Sequence, residues 1–175
     1  MKPWPVLCLA VWVARASERP LGRLVALGLV VSGVADVAIA WSFLAGLALF
    51  LAAHLVYVAG FVTDERSPRL LRALPFAAYA VAMYRFLAAG LGPLALPVAL
   101  YALAIASMMW RAAARVRPGE RAGWIALLGA LAFGLSDSLL ALHRFRAPFA
   151  MAPFAIILTY WAGQLGIAAS AVRSR

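Results

Sequence analysis

Two carboxyl groups lie inside long apolar stretches of this chain, at Asp36 and Asp137. A charged side chain at the depth of a membrane costs about 2.5–3.5 kcal/mol on insertion scales, so such residues are rare unless they are used. Their chemistry is proton transfer, either in catalysis or in a proton relay. The alternative is structural, a carboxylic acid that hydrogen-bonds two helices together.

Other polar side chains fall at a compatible depth. His54 and Tyr57 are three residues apart, and Tyr160 and Gln164 are four apart, so each pair shares one face of a helix. Further candidates are Ser32 one turn before Asp36, Ser136 next to Asp137, and Lys2 at the start of the chain. Together these residues predict a buried polar chamber rather than isolated packing residues.

A metal site built from Asp36, Asp137 and His54 is a further alternative. No pair of these residues shows the short spacing of metal ligands, and Cys8, the only cysteine, lies elsewhere. The sequence therefore predicts no metal and no cofactor.

The elements that must position these residues are hydrophobic helices. The chain has 175 residues, of which 66% are hydrophobic, and a membrane span needs about 20 apolar residues. Polar turns with proline or glycine divide it into seven segments. We predict an all-α, polytopic transmembrane bundle of about seven helices, forming a single domain over residues 1–175, with segments at 3–17, 21–40, 42–62, 70–89, 92–114, 122–142 and 149–172.

The net charge of +10 resides mainly at the segment ends. Of the 16 Lys and Arg residues, 12 fall on one side of the predicted bundle and four on the other. The positive-inside rule places the 12 in the cytoplasm, together with the C-terminus. No basic run or nucleic-acid-binding motif is present, so we expect contact with membrane lipids and not with nucleic acid.

The two aspartates are expected at one depth. Asp36 lies 15 residues beyond Leu21, and Asp137 lies 15 beyond Ala122, on segments that run in the same direction. At the rise of an α-helix, both carboxyls lie about 22 Å along their helices. They are therefore able to face a common cavity.

The motifs around these residues, taken in order, resemble the YhhN-like lysoplasmalogenases. The motifs are Lys2-Pro3, Gly33-Val34-Ala35-Asp36, His54-x-x-Tyr57-x-x-x-Phe61, Gly129-Ala130-x-x-Phe133-x-x-Ser136-Asp137 and Thr159-Tyr160-x-x-x-Gln164. The resemblance implies a membrane enzyme that hydrolyses the vinyl ether bond of lysoplasmalogens to a fatty aldehyde and a glycerophospho-amine. Family members usually carry a helix before the Lys-Pro motif, giving about eight, so the resemblance implies that a first helix is absent here. We expect the protein in a bacterial plasma membrane.

Vinyl ether hydrolysis needs a protonated acid, a negative charge beside the oxocarbenium ion, and a base for the attacking water. Paired carboxyls serve such transition states in glycosidases. We assign Asp137 as proton donor and Asp36 as the carboxylate that stabilises the cation and activates water, although the two roles are interchangeable at the level of sequence. His54, Tyr57, Ser136, Tyr160 and Gln164 would support them, and Lys2 would hold the substrate phosphate.

Two other classes of function remain open from the sequence. Intramembrane carboxyls and histidine also build proton-linked transporters, although no strong inverted repeat is present. The second class is a non-catalytic lipid-binding protein in which the aspartates are structural. The sequence sets no oligomeric state.

Overall fold

The computed structural model describes residues 3–173, and these residues contain seven α-helices. Their bounds are α1 Trp4–Ala16, α2 Pro20–Trp41, α3 Phe43–Asp64, α4 Leu74–Leu91, α5 Ala95–Ala114, α6 Arg121–Phe145 and α7 Ala152–Arg173. Each predicted segment corresponds to one helix, with ends that differ by at most four residues. The all-α architecture predicted from the sequence is confirmed.

Local chemistry explains the helix ends. Pro20 begins α2 and Pro75 lies in the first turn of α4, where the missing N–H of proline costs nothing. Only Ser42 separates α2 from α3, and its Oγ accepts a hydrogen bond from the Ala45 N–H at 3.3 Å. Gly92 follows α4 with a φ of 49°, a left-handed conformation that glycine adopts without steric cost.

Five helical stretches of the described residues are long and apolar enough to cross a membrane. One of them, Leu70–Ala114, comprises α4 and α5, which a short 3₁₀ turn at Gly92–Leu94 joins. The 13-residue α1 is about 20 Å long and does not reach across a 30 Å hydrocarbon layer alone. The protein is an integral membrane protein, and large apolar side chains such as Leu128, Leu135 and Leu158 are exposed where lipid would cover them.

Charged side chains gather at one end of the bundle, where α3, α5 and α7 end. Glu65 Oε2 accepts hydrogen bonds from Arg117 at 2.9 Å and from Arg69 at 3.2 Å. Arg115 Nε donates to Asp64 at 2.7 Å, and Arg111 donates to the backbone carbonyl of Glu65. We call these residues the arginine-rich end.

Candidate active site

The first of two polar groups surrounds Asp36. The Tyr160 hydroxyl donates to Asp36 Oδ2 at 3.0 Å, and the Tyr57 hydroxyl donates to Gln164 Oε1 at 2.7 Å. Ser32 Oγ lies 3.4 Å from the Tyr57 hydroxyl. All five side chains are buried, so α2, α3 and α7 are joined by a polar network that excludes lipid.

The second group surrounds Asp137. The Tyr101 hydroxyl of α5 donates to Asp137 Oδ2 at 2.6 Å. His54 Nε2 lies 3.7 Å from the same oxygen, and His54 Nδ1 lies 2.6 Å from the carbonyl oxygen of Phe50. A carbonyl only accepts hydrogen bonds, so Nδ1 carries a proton, and in a neutral ring Nε2 presents its lone pair to Asp137.

That arrangement favours a protonated carboxyl at Asp137. A lone pair on Nε2 facing an ionised carboxylate would be repulsive, whereas a protonated carboxyl would not be. The 3.7 Å separation exceeds the length of a hydrogen bond, so the two groups are neighbours and are not bonded. A protonated carboxyl beside such a base is suited to general acid chemistry.

Aromatic rings lie between the two groups. The Phe133 ring centroid is 4.8 Å from that of His54 and 5.3 Å from that of Tyr160. Phe133 therefore contacts one side chain of each group, His54 beside Asp137 and Tyr160 beside Asp36.

Three buried polar atoms of the two groups around Asp36 and Asp137 have no hydrogen-bond partner within residues 3–173. They are Asp36 Oδ1, His54 Nε2 and Gln164 Nε2. Buried polar atoms are nearly always hydrogen-bonded, so an unpaired cluster is characteristic of a functional site.

A cavity of about 80 Å³ opens beside Asp137, between α3, α4, α5 and α6. The polar residues of its wall are Asp137, Tyr101, Tyr79, Tyr84 and Ser138, and the rest of the lining is mainly apolar. The Tyr79 and Ser138 hydroxyls are hydrogen-bonded to each other, which links α4 to α6. Asp36 is 1% exposed and is not part of the cavity wall, whereas the Asp137 side chain is 15% exposed. An apolar cavity with one accessible carboxyl suits a substrate that carries a hydrocarbon chain.

Two residues of the predicted site, Ser136 and Lys2, are not seen in the polar groups around the aspartates. Ser136 Oγ donates to the carbonyl of Ile156 at 2.9 Å, so the side chain connects α6 to α7. Lys2 lies outside the described residues, and its role in phosphate binding stays a prediction. No group of three or more His, Cys, Asp or Glu side chains within residues 3–173 is placed to hold a metal ion.

Tyr101 is the principal residue that sequence reasoning missed. Tyrosines near segment ends are typical of interfacial anchors, and that general pattern hid a tyrosine in the interior of its segment. Its position nine residues beyond the start of the predicted segment 92–114 was the available signal. Its partner Asp137 is 36 residues away in sequence, so spacing alone could not pair them.

Comparison with known proteins extends these observations to the whole chain. The chain is 39% identical over 180 residues to the human lysoplasmalogenase TMEM86B, covering 99% of this chain and 75% of the relative. The pig lysoplasmalogenase TMEM86B is 37% identical, with 99% of this chain and 75% of the relative covered. The human lysoplasmalogenase TMEM86A is 32% identical, with 100% and 78% covered. No solved structure matches the chain.

The motifs that carry the sequence resemblance span the chain in order, and they supply both aspartates, His54, Tyr57, Tyr160 and Gln164. The sequence model of the YhhN family matches residues 1–171, which includes both aspartates and every supporting side chain described above. The chain belongs to the YhhN family.

Proposed function

We propose that this protein is a membrane hydrolase that cleaves the vinyl ether bond of lysoplasmalogen-type lipids. The observation that carries the proposal is the position of Asp137. Its carboxyl is on the wall of an apolar cavity, accepts a hydrogen bond from Tyr101 and lies 3.7 Å from His54 Nε2. The names of the human and pig relatives, which are lysoplasmalogenases, support the same reaction.

The reaction begins with proton transfer from the Asp137 carboxyl to the alkene carbon remote from the ether oxygen. The alkene π electrons form the new C–H bond, leaving an oxocarbenium ion beside the Asp137 carboxylate. Water adds to the cationic carbon and loses a proton to the carboxylate, which restores the acid. The hemiacetal then collapses, with its hydroxyl proton moving to the departing glycerol oxygen, to give a fatty aldehyde and a glycerophospho-amine. General acid–base catalysis of this kind contributes about 10²–10⁴-fold.

His54 and Tyr101 act on Asp137 from two sides. Tyr101 fixes the carboxyl by its 2.6 Å hydrogen bond, and His54 Nε2 lies 3.7 Å from the same carboxyl oxygen. The Nδ1–H bond to the Phe50 carbonyl keeps Nε2 of the imidazole turned toward Asp137. These two side chains are positioning residues for the carboxyl.

Asp36 has a different role in this proposal from the one assigned on sequence alone. It is buried, is hydrogen-bonded to Tyr160 and is not part of the cavity wall. It therefore acts through its charge and through the packing of α2 against α7, and Asp137 takes the steps that involve the substrate and water.

The substrate enters from the membrane in this proposal. The cavity lies against α4, which is largely exposed, and only Leu87 and Leu91 of that helix are buried. A lysolipid in the bilayer then reaches Asp137 by lateral passage, with its chain in apolar surroundings throughout. We also propose that the arginine-rich end and the C-terminus are cytoplasmic, following the excess of Arg and Lys at that end.

The test compares three ethanolamine lysophospholipids that differ only in the bond to the hydrocarbon chain. Purified protein in detergent is incubated with the 1-alkenyl, 1-alkyl and 1-acyl forms, and fatty aldehyde is measured. The proposal predicts aldehyde from the alkenyl lipid and no cleavage of the others. Binding of all three lipids to folded protein without cleavage would contradict it and identify a non-catalytic lipid-binding protein.

A further inference from the structure

A second polar feature lies next to the cavity lining, at the end away from the arginine-rich end. Phe43 and Phe145 line the cavity there. The Arg144 guanidinium carbon lies 3.9 Å from the Phe43 ring centroid and 5.8 Å from that of Phe145. Cation–π contacts of this length hold a guanidinium in place while leaving its N–H groups available.

A second arginine lies close in sequence. The Arg146 guanidinium carbon is 5.1 Å from the Phe86 ring centroid, on the helix α4 that forms one side of the cavity. Both arginines are exposed. Arg144 therefore lies against a ring of the cavity wall, and Arg146 lies against the Phe86 ring, which is not part of that wall.

The charge of these arginines is not balanced within the described part of the chain. At the arginine-rich end, Arg69, Arg115 and Arg117 form ion pairs with Asp64 and Glu65. Arg144 and Arg146 have no carboxylate within 4.0 Å among residues 3–173. An arginine fork without an acidic partner is suited to binding a phosphate.

The spacing along α6 matches the substrate. Asp137 and Arg144 are seven residues apart on one helix, which places them on one face and separates them by about 10 Å along the axis. In a lysoplasmalogen the glycerol carbons separate the vinyl ether from the phosphate. A lipid with its vinyl ether at Asp137 and its glycerol along α6 would direct its phosphate toward Arg144.

We propose that Arg144, assisted by Arg146, binds the phosphate of the lysophospholipid and thereby selects lipids with a phosphate headgroup. This proposal rests on the proposed function for the identity of the reacting bond, but the binding of the phosphate is a separate property. It predicts a site for a phosphate that is attached to a hydrocarbon chain, not for the free anion.

The kinetic test uses two substrates that differ only in the phosphate headgroup, a 1-alkenyl lysophospholipid and a 1-alkenylglycerol. For Arg144→Gln we expect KM for the lysophospholipid to rise about tenfold, in line with loss of a charge-assisted hydrogen bond. KM for the alkenylglycerol and kcat for both should change less than twofold. Arg144→Lys should recover much of the loss, and Arg66→Gln, an exposed arginine near the arginine-rich end, is the matched control.

A binding test separates this proposal from the proposed function. The uncleavable 1-alkyl lysophospholipid, 1-alkylglycerol and inorganic phosphate are titrated against the wild type and against the Arg144→Gln, Arg144→Lys and Arg146→Gln variants. We expect a wild-type preference for the lysophospholipid that Arg144→Gln loses and Arg146→Gln reduces, whether or not aldehyde is ever released. Equal loss of both lipids in Arg144→Gln, no loss at all, or an inorganic phosphate affinity equal to that of the lysophospholipid would each overturn the proposal. If Arg144→Gln does not fold, the Arg146→Gln result decides.

Discussion

The hydrogen bond from Tyr101 to Asp137, at 2.6 Å, is shorter than the 3.0 Å bond from Tyr160 to Asp36. Tyr101 is also part of the cavity wall, whereas Tyr160 is not. The Tyr101 hydroxyl therefore positions the carboxyl of Asp137, which lines the cavity. Loss of this hydroxyl should affect turnover more than substrate binding.

We expect Tyr101→Phe to lower kcat about tenfold with little change in KM. The change removes one hydrogen bond to a carboxyl, which is a difference of about 1.5–3 kcal/mol where the acceptor is charged. Initial rates of aldehyde release at several substrate concentrations give kcat and KM for the variant. Tyr84→Phe is the matched control, since Tyr84 lines the same cavity and makes no hydrogen bond among the described residues. An equal loss in both variants would show that the ring shape matters and the bond to Asp137 does not.

Much of the site could be predicted at the residue scale, because a carboxyl in an apolar helix is conspicuous. The matched depth of Asp36 and Asp137 along their helices predicts that they lie in one layer of the bundle. Which of them faces the cavity depends on the rotation of α2 and α6 against their neighbours, and helix periodicity does not encode that rotation. The Phe133 ring, an ordinary core residue in sequence, contacts both His54 and Tyr160.

Helices α6 and α7 approach more closely than side chains would normally allow. A Cβ atom added to Gly163 would lie 2.7 Å from the backbone nitrogen of Phe133, and one added to Gly129 would lie 2.7 Å from that of Ile167. Glycine is required at this crossing because the two backbones are in direct contact. The same crossing positions Phe133 between His54 and Tyr160.

At the element scale, we expect Gly163→Ala to destabilise the protein by about 1–3 kcal/mol, because overpacking forces the backbones apart. Activity should fall with stability, since Phe133 moves. Thermal unfolding in detergent measures the first effect. The control is Ala162→Leu, which adds a larger side chain at the neighbouring, exposed position. A Gly163→Ala protein as stable as wild type would contradict the close contact.

The positions of the helices could be predicted from the sequence, but which helices pack against each other could not. Proline and polar turns determine where α2, α3 and α6 begin, and hydropathy determines their lengths. Small residues at four-residue spacing predict close packing but not the partner helix. That α6 pairs with α7 through Gly129, Gly163 and Gly166 depends on shape complementarity between distant segments.

At the scale of the whole molecule, Glu65 connects the end of α3 to α5 and to the segment before α4. Its carboxylate accepts from Arg69, Arg117 and the Ser67 N–H, and its carbonyl accepts from Arg111. The hydrogen bond from Arg117 is the main cause that lowers the pKa of Glu65 below its ordinary value. The ionised form is therefore the one that stabilises the fold.

We expect Glu65→Gln to lower stability at pH 7 by about 1–2 kcal/mol, because Arg69 and Arg117 are partly exposed and their ion pairs are screened. A lowered carboxyl pKa contributes stability above the unfolded value of about 4.3 and loses it as the pH falls through the folded value. The difference from wild type should thus disappear in acid. Glu120→Gln, which removes an exposed pair at 3.5 Å, should have little effect. A difference that persists in acid would contradict the electrostatic cause.

The orientation in the membrane is tested by cysteine labelling. In a Cys8→Ser background, Arg66→Cys reports the arginine-rich end and Ala147→Cys reports the opposite end. We expect a membrane-impermeant maleimide to label the cysteine at 147 on intact cells and the cysteine at 66 only after permeabilisation. The reverse pattern would contradict the cytoplasmic placement of the C-terminus.

The measurement that tests the central claim most directly is aldehyde release from a 1-alkenyl lysophospholipid by the Asp137→Asn protein, beside wild type. An amide cannot donate the proton that the reaction needs, so kcat should fall at least about 100-fold. Unchanged thermal unfolding of the variant would show that the fold is intact. Turnover within twofold of wild type by a folded Asp137→Asn protein would contradict the assignment of Asp137 as the proton donor.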